Sequence, residues 1–192
     1  MNFSIFIPPQ AKHHKVPALL YLAGLTCTEE TFMIKAGAQK LAAEYGVALV
    51  CPDTSPRGAA IDGEDDDWDF GTGAGFYIDA INHPWSTNYR MFSYITIELL
   101  DLVENVFPID IERIGVFGHS MGGHGALIFH LKKPEIFKTI SAFSPICSPT
   151  RCLWGKKAFT NYLGPKINAW NTYDASELVK THGAGPEILI DQ

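Results

Sequence analysis

The chain has 192 residues, 46% hydrophobic and 19% charged, a balance that excludes a disordered chain and suffices for one domain with a sizeable core. A net charge of −6 without a lysine- or arginine-rich block argues against wrapping nucleic acid. No apolar run approaches a membrane span and the N-terminus lacks a signal-peptide pattern, so the expected location is cytoplasmic.

In the cytoplasm Cys27, Cys51, Cys147 and Cys152 are expected as free thiols, and with no C-x-x-C pair among them no zinc site is expected. No internal repeat or low-complexity linker interrupts the chain, so residues 1–192 read as one domain.

Residues 2–7 read as a strand stopped by Pro8 and Pro9. Residues 17–23 are a continuous apolar run followed by Gly24, the mark of a strand buried on both faces. Thr28 with Glu29 and Glu30 opens a helix that the pattern carries to Tyr45, with Gly46 as its stop. Residues 47–51 form another short buried strand.

Residues 53–84 show no periodicity, and a loop this long inside a compact domain is usually functional. Its acidic run at 62–69 lacks the order of a calcium loop, so a solvated loop is expected. Gly71, Gly73 and Gly75 match neither a dinucleotide fingerprint nor a P-loop, and suit close backbone packing near a site. Trp68, Phe70 and Tyr77 are expected as pocket wall or loop core.

Residues 89–107 read as an amphipathic helix with Phe92, Ile95, Leu99, Leu102 and Val106 on one stripe. A strand at 113–117 then runs into Gly118, His119, Ser120, Met121 and Gly122, followed by a helix at 122–133. Strand, G-x-S-x-G, helix is the order of a nucleophile elbow. Small residues at both ends permit a sharp turn that lifts the Ser120 hydroxyl and aims the Met121 N–H at a developing oxyanion. A strand at 139–143, an irregular stretch at 146–175, a short helix at 176–181 and a last strand at 187–190 complete the order.

Strands alternating with helices imply an α/β fold with a mostly parallel central sheet and helices on both faces. Ligands in such sheets bind beyond the carboxyl ends of the strands. Residues 24–28, Asp53, Ser120, residues 144–147 and Asp191 all follow predicted strands and should crowd one edge.

Eight blocks resemble the S-formylglutathione hydrolase (esterase D) family of α/β-hydrolases: LAGLTCT at 22–28, PDTSPRG at 52–58, WDFGTGAGFY at 68–77, FGHSMGGHGAL at 117–127, PIC at 145–147, WGKKAF at 154–159, YDA at 173–175 and ILIDQ at 188–192. The resemblance implies a cytosolic serine thioesterase, commonly a homodimer, without cofactor or metal, that cleaves S-formylglutathione to glutathione and formate and also accepts simple esters. It implies Ser120 as nucleophile and the N–H groups of Leu25 and Met121 as oxyanion hole. Cys27, Trp68, Trp154 and Lys156 are substrate-pocket candidates, with a buried inert thiol as the alternative for Cys27; Arg151, Lys156 and Lys157 are either cations for an anionic glutathione or solvated surface residues.

In that family the catalytic acid and histidine lie beyond the position of Gln192, and members begin earlier. The chain is therefore expected to be incomplete at both ends, with its hydrolase domain cut short at the C-terminus and its activity impaired. None of its seven histidines (His13, His14, His83, His119, His124, His130, His182) stands out as a base, with His182 the least excluded; Asp191 is expected to be structural. The alternatives are a general carboxylesterase and a non-catalytic remnant or interaction module.

Overall fold

The computed structural model describes residues 1–182 and 187–192, the side chain of His182 excepted. Its strands are β1 (Phe3–Phe6), β2 (Val16–Leu22), β3 (Ala48–Pro52), β4 (Ile109–His119), β5 (Phe137–Phe143) and β6 (Ile188–Asp191). They form one sheet in the order β1-β3-β2-β4-β5-β6. β1 is antiparallel to β3 and every other pairing is parallel.

Period-two alternation sorts β2 between two layers: Val16, Ala18, Leu20 and Leu22 are buried, while Leu19 and Tyr21 are half-buried on the opposite face. Helix α1 (Glu29–Lys35) and helix α2 (Gln39–Tyr45) lie on the Leu19 face, where Phe32 stacks on Tyr21 and meets Phe117 edge-on. Between Met91 and Val106, α3 (Met91–Ser93), a π-helical turn (Tyr94–Leu99) and α4 (Leu100–Val106) run on without a break. Helix α5 (Met121–Lys132), buried from Met121 to Leu131, packs on the Leu22 face beside β2, β4 and β5. It follows β4 directly, so the elbow sits at the carboxyl edge of the sheet.

Three expectations are corrected. The helix over 28–45 is two helices, because the chain breaks at Gly37, which takes φ 60°. The stretch at 146–175 contains α6 (Leu153–Leu163) and α7 (Ile167–Asn171), ahead of α8 (Ala175–His182). Gly155, Ala158, Phe159, Tyr162 and Leu163 are buried at helical spacing, so the period was present but obscured by a glycine in the first turn. In the helix after residue 90, Leu102 and Val106 are exposed, and Leu100 and Val103 are buried instead. The π turn admits an extra residue and shifts the apolar stripe.

No helix among the described residues is long and apolar enough to cross a membrane. β6 has no second strand partner among the described residues, and its Leu189 and Ile190 are exposed.

Candidate active site

Ser120 joins β4 to α5 with φ 57° and ψ −117°, a region that side-chain-bearing residues seldom occupy. The flanking glycines are there for space. A Cβ on Gly122 would overlap the Leu22 carbonyl, and one on Gly118 would overlap the Gly122 carbonyl. A Cβ on Gly24 would lie 3.4 Å from the Ser120 Cβ, which puts the loop after β2 directly beside the serine.

The Ser120 backbone is held from three sides. Its N–H donates to the Phe143 carbonyl at 2.9 Å, and its carbonyl accepts from the N–H groups of His124 at 3.1 Å and Ile146 at 3.3 Å. Met121 opens the helix, where N–H groups have no intrahelical acceptor.

Residues 23–28 leave β2 as a loop braced on both flanks. The Thr26 N–H donates to the Gly73 carbonyl at 2.9 Å, and the Cys27 N–H donates to the Gly24 carbonyl at 3.3 Å. The Cys27 carbonyl accepts from the Thr54 hydroxyl at 2.5 Å and from Arg57 Nη2 at 3.2 Å. Arg57 also grips the buried Asp53 carboxylate with two bonds, of 2.7 and 3.0 Å, and Asp53 in return holds the guanidinium pKa above its ordinary value. Leu25, half-buried between these braces, has no acceptor for its N–H among the described residues.

The glycine run at 71–75 provides close backbone packing here. A Cβ on Gly73 would come within 3.1 Å of the Thr26 Cα, and one on Gly75 within 2.9 Å of the Thr54 carbonyl oxygen.

His124 is fully buried behind the elbow, with Nε2 3.1 Å from the Phe76 carbonyl. A carbonyl can only accept, so Nε2 carries the hydrogen and Nδ1 is left without a partner among the described residues. Burial drives its pKa down to about 4, which keeps the ring neutral. His130 is likewise buried, with Nδ1 3.0 Å from the Phe137 carbonyl. His119 is exposed beside the serine, and His13, His14 and His83 are also exposed. Among the described residues no imidazole hydrogen-bonds the Ser120 hydroxyl, and the His182 side chain lies outside them. The Asp191 carbonyl accepts from the Ser144 N–H at 2.6 Å, so its backbone helps anchor the loop after β5.

The substrate-pocket candidates divide. Trp68 and Trp154, both exposed, meet edge-to-face with ring centroids 6.1 Å apart. Lys157 is not the free cation expected: its Nζ bonds Asp69 at 2.5 Å and Asp67 at 3.0 Å, tying the acidic loop to α6. Lys156 is exposed without an ionic partner among the described residues, whereas Arg151 reaches Glu177 at 3.4 Å. Phe70 and Tyr77 belong to the core and not to a pocket wall. Sequence reasoning missed the Asp53–Arg57 brace, whose only signal was an i, i+4 acid–base pair in a loop too irregular to assign a face.

A mostly parallel sheet flanked by helices, with a left-handed serine at a strand-to-helix turn, defines the α/β-hydrolase class. The family model described as "Putative esterase" matches residues 1–192. The S-formylglutathione hydrolase of Rattus norvegicus is 58% identical over 100% of this chain and 68% of its own length. That of Paracoccus denitrificans is 52% identical with the same coverage. The solved S-formylglutathione hydrolase of Agrobacterium tumefaciens superposes with a TM-score of 0.96 at 48% identity, covering 99% of this chain and 69% of that one. The chain belongs to the esterase family and, within it, to the S-formylglutathione hydrolases.

Proposed function

We propose that Ser120 is the nucleophile of a thioesterase that hydrolyses S-formylglutathione to glutathione and formate. The observation that carries this reading is the strained backbone of Ser120 beside the loop of Leu25, whose N–H, like that of Met121, has no acceptor among the described residues. Ser120 Oγ attacks the formyl carbonyl while a histidine takes its proton. The two N–H groups stabilise the resulting oxyanion, and loss of one such donor typically lowers the rate about 10²–10³-fold. Collapse expels the thiol of glutathione, which leaves with the proton, and the formyl group stays on Ser120 as an ester. Water then repeats the attack and releases formate.

In this reading the base is a histidine whose side chain lies outside the described residues. Cys27, Trp68 and Trp154 line the substrate, Lys156 meets a glutathione carboxylate, and no cofactor or metal takes part. The protein acts as one domain in the cytoplasm, with self-association to a homodimer.

Labelling with a fluorophosphonate probe tests the nucleophile: modification of Ser120, abolished in Ser120→Ala, is the expected result. No labelling above a denatured control rejects an activated serine and favours the non-catalytic alternative. Steady-state rates on S-formylglutathione and on an aryl acetate separate the thioesterase from a general carboxylesterase.

A further inference from the structure

We propose that the Tyr77 hydroxyl is a positioning group for the oxyanion loop, holding the Ala23 carbonyl so that the chain beyond it presents the Leu25 N–H to the reacting carbonyl. This rests on the reading of Leu25 as an oxyanion donor.

The Tyr77 hydroxyl donates to the Ala23 carbonyl at 2.8 Å, across 54 residues of sequence, and both residues are buried. That carbonyl is where the chain leaves β2, and no other group donates to it among the described residues. A Cβ on Gly122 would stand only 2.7 Å from the same oxygen. The Ala23 carbonyl is therefore gripped between Tyr77 and the start of α5. Leu25 lies two residues to one side of this grip, and Met121 is the neighbour of Gly122 on the other. One hydroxyl thus sets the relation between the two N–H groups.

Tyr77 reaches this place at a conformational expense. Phe76 and Tyr77 take φ 52° and 56°, consecutive left-handed residues that are not glycine, a conformation that persists only where surroundings over-determine it. Here they do. His124 Nε2 donates to the Phe76 carbonyl at 3.1 Å, and the tyrosine ring lies so close to Gly125 that a Cβ there would come within 2.6 Å. A ring needed only as core filling would not require this turn. Burial raises the phenol pKa well above its ordinary value, so the hydroxyl remains a donor across the working range.

The test is Tyr77→Phe, which keeps the ring and removes the hydroxyl. In ¹⁵N-labelled chain the amide resonances of Gly24 and Leu25 are expected to shift and their hydrogen exchange to accelerate, while those of β5 stay in place. In a sample that turns over, kcat should fall about tenfold with KM within about twofold, part of what a lost oxyanion donor removes. Unmoved Gly24 and Leu25 resonances overturn the proposal, as does an unchanged kcat in a sample that turns over. Should the variant not fold, the unaltered chain decides. Its Tyr77 hydroxyl proton must give a slowly exchanging resonance with a nuclear Overhauser contact to the Gly24 amide, and absence of that resonance refutes the grip. If Ser120 takes no probe while the Leu25 amide still answers to Tyr77→Phe, the thioesterase reading falls and the positioning survives it.

Discussion

Gly122 lies so tightly against the Leu22 carbonyl that a single added methyl group would overlap the oxygen. The contact joins the end of β2 to the first turn of α5, so the distance between the loop after β2 and the elbow is set by the absence of a side chain.

Gly122→Ala pits two effects against each other. Alanine gains about 1 kcal/mol of helix propensity over glycine. Forcing a group into packed backbone costs typically 1–3 kcal/mol and occasionally more, and neither neighbour here is a flexible side chain. The overlap wins: urea unfolding should show a net loss of about 2 kcal/mol. Fluorophosphonate labelling of Ser120 should fall along with it.

Ser120 stores strain that a glycine would release. A non-glycine residue held in such a region costs on the order of 1–3 kcal/mol, while glycine loses roughly 0.5–1 kcal/mol more chain entropy on folding. Ser120→Gly should therefore raise stability by about 1 kcal/mol in a thermal melt while abolishing probe labelling. A variant of unchanged or lower stability would show that the surroundings, not the serine, set the turn.

His124 makes stability depend on pH. Buried and neutral, it titrates at about 4 in the folded chain, against the ordinary histidine value of 6.5. Between those values the unfolded chain binds the extra proton, so stability rises with pH. The contribution is fully present above pH 6.5 and is lost as pH falls through 4, a decline of about 3 kcal/mol. The charges facing the ring include Asp174, whose attraction for the proton opposes the fall without reversing it. His124→Gln should flatten the profile between pH 6.5 and 4 in urea titrations at fixed temperature.

The elbow could be read in the sequence because its requirement is local: two glycines two residues either side of a serine, between a strand and a helix. The parallel sheet was legible from the apolar runs of β2 and β3 for the same reason. What supports the elbow was not. Tyr77 meets Ala23 across 54 residues, and Thr54 meets Cys27 across 27, distances over which no spacing rule operates. The pairing of Lys157 with Asp67 and Asp69 was hidden in the same way, so a lysine that looked available to a substrate is engaged by the acidic loop.

The Leu19 face of the sheet is only partly covered. A groove of about 320 Å³ opens there between sheet and helices, lined by Leu19, Phe32, Leu41, Tyr45 and Phe117 among others. Leu41 is 57% and Tyr45 75% exposed. Parallel sheets are ordinarily buried on both faces, and exposed apolar patches of this kind drive association. The outer edge of β6, unpaired among the described residues, adds a second adhesive surface. The purified chain should accordingly bind a hydrophobic dye and scatter light increasingly with concentration. Leu41→Glu combined with Tyr45→Lys should reduce both signals and move the melting midpoint by only a few degrees, because these side chains are largely in solvent already. A monomeric sample that melts sharply and takes up no dye would show that the groove closes on itself in solution, and the charged pair would then lower stability instead of improving solubility.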